Sequence, residues 1–394
     1  MLFVLVAAAL PAQDSPISRQ GVIDAALARG ARLATATADT LAGSAQVSLA
    51  RQWQNPTFSA SYSKDVPQRH YALEIPLDLP YVRAPRIAAA TIAQRAMRAR
   101  FTYERASVAM EADTAYTRAL AARALAELSA RSALDADSLR RIAIARRDAG
   151  NASDMDVALA TITAGQAANE AVTDSLTYAS ALLDLQVVMG MTNRTVRITL
   201  ADSLGAPPAV PVTADGRPLA VAAAADQVES ASLALRFEQR SVFGQPSIVA
   251  GWDTGDPSGA EPGRLPTFGI ALPIPLFNRN TAAISLAQAE AARARAELSL
   301  VTVLSRTERE RAEREYVAAR TRFERDDQLV TQAEQVARMA LTAYREGAAA
   351  LPSVLEARRA ARELLAQRVR DTADAWVAAA ELKVLTLTAP PSAP

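Results

Sequence analysis

Phe268-Gly269-Ile270-Ala271-Leu272-Pro273-Ile274-Pro275-Leu276-Phe277-Asn278-Arg279-Asn280 decides how this chain folds. Phe268, Ile270, Leu272, Ile274 and Leu276 fall on one face of an extended segment, and Gly269, Ala271, Pro273 and Pro275 on the other. From Asn280 to Glu346 there is no proline, so the strand feeds a helix of about 65 residues, roughly 100 Å at 1.5 Å per residue. An earlier segment has the same form. Tyr71, Leu73, Ile75, Leu77 and Leu79 oppose Ala72, Glu74, Pro76 and Asp78, and an Ala/Arg/Glu-rich stretch follows Pro85.

The likeness extends along the chain. Asn55-Pro56-Thr57-Phe58 returns as Gln245-Pro246-Ser247-Ile248, Glu74-Ile75-Pro76-Leu77 as Pro273-Ile274-Pro275-Leu276, and Arg147-Asp148-Ala149-Gly150 as Tyr344-Arg345-Glu346-Gly347. A duplication of this size makes each half one structural unit. The pattern predicts a first repeat over 13–205, with strands near 58–66 and 70–79 and helices over 86–147 and 153–189. A linker at 206–217 carries Pro207, Pro208, Pro211 and Gly216. The second repeat, 218–388, holds strands near 247–254 and 266–277 and helices over 280–346 and 352–387. Further helices are expected over 17–50 and near 218–243, and residues 389–394 as a disordered tail.

Composition removes several functions. Among 394 residues, 43 Lys and Arg balance 42 Asp and Glu, for a net charge of +1, so no nucleic-acid partner is expected. There is no cysteine and a single histidine, His70, beside a strand turn. No thiolate chemistry, multi-histidine metal site or acid–base–nucleophile set can be drawn, so neither an enzyme nor a cofactor is expected. Residues 1–12, with the apolar run Leu2 to Leu10, read as a secretory signal without the usual basic start. No other segment is long and apolar enough for a transmembrane helix.

The strands, about 8–11 residues long, suit a tilted crossing of a bilayer, large and apolar on one face and small or polar on the other. A half-buried strand of a soluble sheet shows the same alternation. Strand number separates the two readings further. Four strands cannot close a membrane barrel, and open edges are forbidden in lipid, so spanning strands must be pooled between copies. Two copies give eight strands and three give twelve, of which the larger leaves a wide lumen. The helices carry charge on many sides, as in Arg306, Glu308, Arg309, Glu310 and Arg311 to Glu315, which suits a helical cylinder wetted inside and out.

These residues resemble the TolC-type outer-membrane efflux channels, particularly the branch that accompanies heavy-metal exporters. The resemblance rests on Leu272 to Asn280, on Tyr344-Arg345-Glu346-Gly347 followed by Leu351 to Arg358, and on Asn55 to Phe58 with Arg83-Ala84-Pro85-Arg86. It covers about residues 20–387. It implies a mainly α chain with a small membrane β part. Four strands per chain would enter a shared trimeric β-barrel, and the helices a long α-helical barrel. It implies an outer-membrane homotrimer reaching into the periplasm, joined to a periplasmic adaptor and an inner-membrane transporter of the RND type. The exported species would be metal ions or small toxic compounds, with type I secretion, or a soluble periplasmic adaptor or scaffold, as alternatives. By the same resemblance Asp156, Tyr344 and Glu356 correspond to gate residues, and the turns at Gly150 and Gly347 to the adaptor-docking points. Departures are Ala349 where the family has a basic residue, Ser353 where it has an acid, Thr281 and Ala282 after the Asn-Arg-Asn signature, and no cysteine to carry a lipid.

Overall fold

The computed structural model describes residues 16–191, 198–209, 216–255 and 263–389. The expected signal at 1–12, residues 210–215 of the expected linker and tail residues 390–394 lie outside them. Among the described residues eleven elements follow one another: α1 (Arg19–Arg29), α2 (Ala31–Arg51), β1 (Thr57–Tyr62), β2 (Arg69–Pro76), α3 (Pro80–Asp148), α4 (Asp154–Val188), α5 (Leu219–Arg240), β3 (Ser247–Thr254), β4 (Leu265–Ala271), α6 (Thr281–Arg345) and α7 (Leu351–Leu385). The chain is mainly helical with one small sheet, as expected.

Among the boundaries that differ from the sequence reading, including the earlier ends of β1 at Tyr62 and β2 at Pro76, three have a clear local reason. The helix expected over 17–50 is interrupted at Gly30, whose backbone is extended and whose N–H closes α1 on the Ala26 carbonyl. A Cβ at Gly30 would lie 2.5 Å from that carbonyl, so the break needs glycine. β4 stops at Ala271 rather than 277, because Pro273 and Pro275 have no N–H to give a ladder. α3 starts at Pro80, six residues before the expected start, with proline at the first helical position where its missing N–H costs nothing. Pro85 then lies inside α3 and leaves the Tyr81 carbonyl without its helical donor; Arg240 fills that place at 2.9 Å.

The chain divides into two compact units, each drawing on both halves of the sequence. One takes residues 16–35, 103–191, 198–209 and 306–388; the other takes 36–102, 216–255, 263–305 and 389.

The second of these holds the sheet, which is antiparallel in the order β1-β2-β3-β4. Residues directly opposite one another in such a sheet share a face. The register therefore collects Phe58, Ala60, Tyr62, Tyr71, Leu73, Ile75, Ile248, Ala250, Trp252, Pro266, Phe268 and Ile270 on one side, with Arg69 and Thr254 joining them at one end. Phe58, Tyr71 and Trp252 stack in sequence, with ring centroids 6.4 and 5.4 Å apart. The other side carries Thr57, Ser59, Ser61, His70, Ala72, Glu74, Pro76, Ser247, Gly251, Asp253, Thr267, Gly269 and Ala271, together with the apolar Val249 and Leu265. There His70 Nδ1 lies 2.9 Å from Asp253 Oδ1, and the Thr267 hydroxyl donates to Asp253 Oδ2 at 3.2 Å. Among the described residues the outer edges of β1 and β4 have no strand partner.

Both connections from sheet to long helix cap the helix that precedes the sheet. Arg86 and Arg83 share the buried Asp78 carboxylate and donate to the Ala50 and Arg51 carbonyls at the end of α2. Arg83 also lies 4.3 Å above the Trp53 ring. In the second half Asn280, at φ 58°, turns its amide onto the Glu238 carbonyl, the Glu238 carboxylate and the Ser241 hydroxyl at the end of α5. Arg83 to Arg86 and Asn278 to Asn280 were singled out in the sequence, and these contacts are what they do locally.

In the other unit, Tyr116 of α3 is fully buried among Val22, Ala26, Val108, Ala112, Leu120, Leu185, Met189 and Leu200. Its hydroxyl is 2.9 Å from both the Ile17 carbonyl and Asp202 Oδ2, fastening α3 to two passing segments. Tyr316 of α6, packed with Ala312, Ala378, Ala379 and Leu382, donates to the Pro208 carbonyl at 2.6 Å. Between α6 and α7, Asp371 accepts from Arg322 Nε at 2.7 Å and Gln367 at 2.9 Å, while the buried Asp326 Oδ2 has no hydrogen-bond partner. Burial pushes the Asp326 carboxyl up and the neighbouring Asp371 adds to it. For Asp371 burial acts upward, but the Arg322 and Gln367 hydrogen bonds outweigh it and hold the carboxyl low. A carboxyl raised in the folded state opposes folding once pH climbs through its folded pKa. Asp326→Asn is therefore expected to raise the melting temperature at neutral pH, by the equivalent of about 1–2 kcal/mol. The gain should close as pH falls into the ordinary carboxylate range. Melting curves across pH check this, and an unchanged or lower melting temperature at neutral pH would contradict it.

Candidate functional site at the helical hairpin turns

α3 and α4 form one helical hairpin and α6 and α7 another, and the two turns are built alike. At the first, the Asn151 N–H bonds the Arg146 carbonyl and the Gly150 N–H the Arg147 carbonyl, with Gly150 at φ 74°. At the second, the Ala348 N–H bonds the Ala343 carbonyl and the Gly347 N–H the Tyr344 carbonyl, with Gly347 at φ 81°. Both are Schellman closures, in which a left-handed residue lets the last carbonyls of a helix find donors. Gly150 and Gly347 are required by that conformation whatever else they do. Nothing lies within 4 Å of a Cβ built at Gly150, and one at Gly347 would meet only Arg146 Nη2, at 3.7 Å.

The helix that leaves each turn begins differently. α4 starts with a capping box: the Ser153 hydroxyl accepts from the Asp156 N–H at 3.1 Å, and Asp156 Oδ2 accepts from the Ser153 N–H at 3.1 Å. In α7 the corresponding positions are Ala350 and Ser353, with no side-chain cap. Asp156 is thus held half-buried at its turn by Ser153.

The two hairpins meet around Tyr344. Its ring is buried with Leu139 and Ala143 of α3, Ala160 of α4, and Leu351 and Val354 of α7. The hydroxyl is buried with no hydrogen-bond partner. Burial pushes the Tyr344 phenol up; the Arg146 charge acts downward and Asp156 upward, so all three groups are within electrostatic reach of one another. Arg146, from the last turn of α3, donates to the Tyr344 carbonyl, lies 4.6 Å over the Tyr344 ring, and reaches the Asn151 carbonyl at 3.3 Å. Further along, Arg358 donates to the Asp135 carbonyl at 3.2 Å, and Arg362 pairs with Glu170. The structure therefore places Asp156 within electrostatic reach of Tyr344, without a hydrogen bond between them. Glu356 is apart from them, exposed on α7 with its charge bearing on Arg359.

Arg146 escaped the sequence reading. Its main acceptor is a backbone carbonyl 198 residues away, which leaves no complementary side chain to notice. Tyr116 and Tyr316 left a signal that could have been used, since Ala112, Tyr116 and Ala119 recur as Ala312, Tyr316 and Ala319.

No family model matches the sequence, and no curated protein matches it. Solved structures do match along nearly the whole chain. A membrane protein from Pseudomonas aeruginosa aligns with a TM-score of 0.78 at 20% identity, covering 93% of each chain. CusC, described for conformational changes that accompany transmembrane channel formation, aligns at 0.76 and 15% identity over 94% of this chain and 92% of its own. The outer membrane protein VceC from Vibrio cholerae aligns at 0.75 and 17% identity over 94% and 96%. At these identities what is shared is the fold, and the fold of this chain is that of the TolC-type outer-membrane channels.

Proposed function

We propose that this chain is one protomer of an outer-membrane exit duct, a homotrimer that passes substrates outward without chemistry of its own. The observation that carries this reading is the sheet, with one face apolar and aromatic up to Arg69 and Thr254 at the turn end, one mostly small and polar face that also holds Val249 and Leu265, and two edges unpaired among the described residues. Phe268 and Ile270 of β4 are 80% and 79% exposed, which is costly in water and favourable in lipid. Lipid forbids the open edges, so β4 of one copy would pair with β1 of the next, and three copies would close twelve strands around a polar lumen. Trp53, Tyr81, Phe243 and Phe277, all exposed, would form the aromatic belt at the membrane boundary.

In this reading the helices extend into the periplasm. The turns at Gly150 and Gly347 dock a periplasmic adaptor that links the duct to an RND-type inner-membrane transporter. Asp156, Tyr344 and Glu356 belong to the gate at that end. The cargo would be metal ions or small toxic compounds supplied by the transporter, and the choice rests on the sequence resemblance to metal-exporter ducts. Single-channel recording in planar bilayers, together with the mass of the purified protein in detergent, tests the proposal. A trimer that opens discrete pores is the expected result. A water-soluble monomer without conductance would overturn it.

A further inference from the structure

We propose that Asp326 of α6 and Asp371 of α7 hold one proton between them, and that its loss loosens the contact between these helices midway along their hairpin. The inference does not rest on the duct reading, since both carboxyls belong to one hairpin of one chain. Both side chains are buried, with residue exposures of 8% for Asp326 and 2% for Asp371. Each stands four residues after a polar neighbour on its own helix, Arg322 before Asp326 and Gln367 before Asp371. Both neighbours donate to Asp371: Arg322 Nε reaches Oδ1 at 2.7 Å, and Gln367 Nε2 reaches Oδ2 at 2.9 Å. Arg322 Nη2 lies 3.6 Å from Asp374, and Arg368 pairs with Asp327 at 2.6 Å. Arg322 and Arg325 act on Asp326 as nearby charges. Asp326 Oδ2 is therefore buried without a donor. Two ionised carboxylates can only accept, so at close range they repel and leave that oxygen stranded. A proton on Asp326 removes both faults. The carboxyl then donates to Asp371, which lies within hydrogen-bonding reach and keeps lone pairs beside those used by Arg322 and Gln367.

Burial and Asp371 both push the Asp326 carboxyl above its ordinary value, so the proton stays in acid and leaves to water as pH rises through the raised value. Two charges then face each other between α6 and α7, with Arg322 already committed to one of them. The tight contact is thus the acid form and the loosened contact the alkaline one. Infrared titration of the purified protein in detergent reads the proton directly. The wild type should keep a protonated-carboxyl band at pH values where ordinary carboxylates are ionised, and Asp326→Asn should lack it. Asp371→Asn removes the like charge and frees Arg322, so the band should titrate at lower pH. No such band in the wild type, its survival in Asp326→Asn, or an unmoved titration in Asp371→Asn would overturn the shared proton. Movement is read separately. The chain has no cysteine, so Gln328→Cys and Arg370→Cys, both exposed and one on each helix, can be spin-labelled in a subunit diluted among unlabelled ones. The distance between labels should lengthen and broaden as pH rises through the infrared titration, and Asp326→Asn should abolish that response. A distance that ignores pH, or one that shifts equally in Asp326→Asn, would overturn the joint. A protein that forms no pores yet shows both responses keeps the joint and loses the duct reading.

Discussion

If the chain is the outer-membrane duct proposed above, Ile270→Arg should remove it from that membrane. Ile270 lies in a lateral row with Ile75 and Ile248, on the apolar side of the sheet, and is 79% exposed in the single chain. An arginine facing lipid costs about 2–4 kcal/mol at the bilayer middle and less toward its boundary, and a closed trimer would incur the cost three times. Sucrose-gradient fractionation should find the variant depleted from outer-membrane fractions and without heat-modifiable trimers. Thr267→Arg is the matched control, on the same strand but the opposite face, where Thr267 already donates to Asp253. It should insert normally, because an arginine there meets water and a carboxylate. The contrast between the two faces is the decisive part. On a water-exposed sheet, replacing an isoleucine this exposed would change stability by less than about 0.5 kcal/mol. Normal insertion of Ile270→Arg would therefore leave the lipid-facing sheet without support.

The β part was legible because period-two alternation survives without knowledge of the partners. Tyr71, Leu73 and Ile75 could be assigned to one face from spacing alone, and the register joins them to Ile248, Ala250 and Trp252. Alternation does not record where hydrogen bonding stops. Leu272, Ile274 and Leu276 continue the pattern of β4 past its end at Ala271, since prolines satisfy a spacing rule and still withhold donors. The helices were legible for the opposite reason, as long stretches with nothing to stop them. Gly30 was missed because a lone glycine in a helical pattern is commonly tolerated, and the close approach of the Ala26 carbonyl is visible only in three dimensions. At the turns, Gly150, Gly347 and the Ser153–Asp156 cap could be found from residue type and spacing. Arg146 could not, as a backbone carbonyl presents the same acceptor whatever the residue that carries it.

Tyr116→Ala should be among the most destabilising single substitutions in the helical unit. The side chain is fully buried, and its removal leaves a cavity in the core cluster it shares with Val22, Val108, Leu185 and Met189. Truncation of a buried aromatic costs about 3–5 kcal/mol. The hydroxyl has one proton for two acceptors, the Ile17 carbonyl and Asp202, and it accepts the Asp202 N–H at 3.3 Å. Tyr116→Phe keeps the ring and should cost only about 1–2 kcal/mol. It also carries a pH signature. The Arg19 N–H first, and the Tyr116 hydroxyl second, hold the Asp202 carboxyl below its ordinary value. A depressed carboxyl contributes stability that is present above its unfolded pKa and is lost as pH falls through the folded one. Tyr116→Phe brings those two values closer, so its deficit should be largest at neutral pH and shrink in acid; a deficit equal at all pH values would contradict the Asp202 linkage. Tyr316 occupies the matching place, between Ala312 and Ala319, with the Pro208 carbonyl as its acceptor. If the duplication copied a packing device, Tyr316→Ala should cost as much as Tyr116→Ala, while Tyr316→Phe should show no acid-linked change, because a carbonyl does not titrate. Unfolding in denaturant, followed by tyrosine fluorescence and limited proteolysis, measures both pairs. A Tyr116→Ala protein as stable as wild type would mean that α3 is held by other contacts.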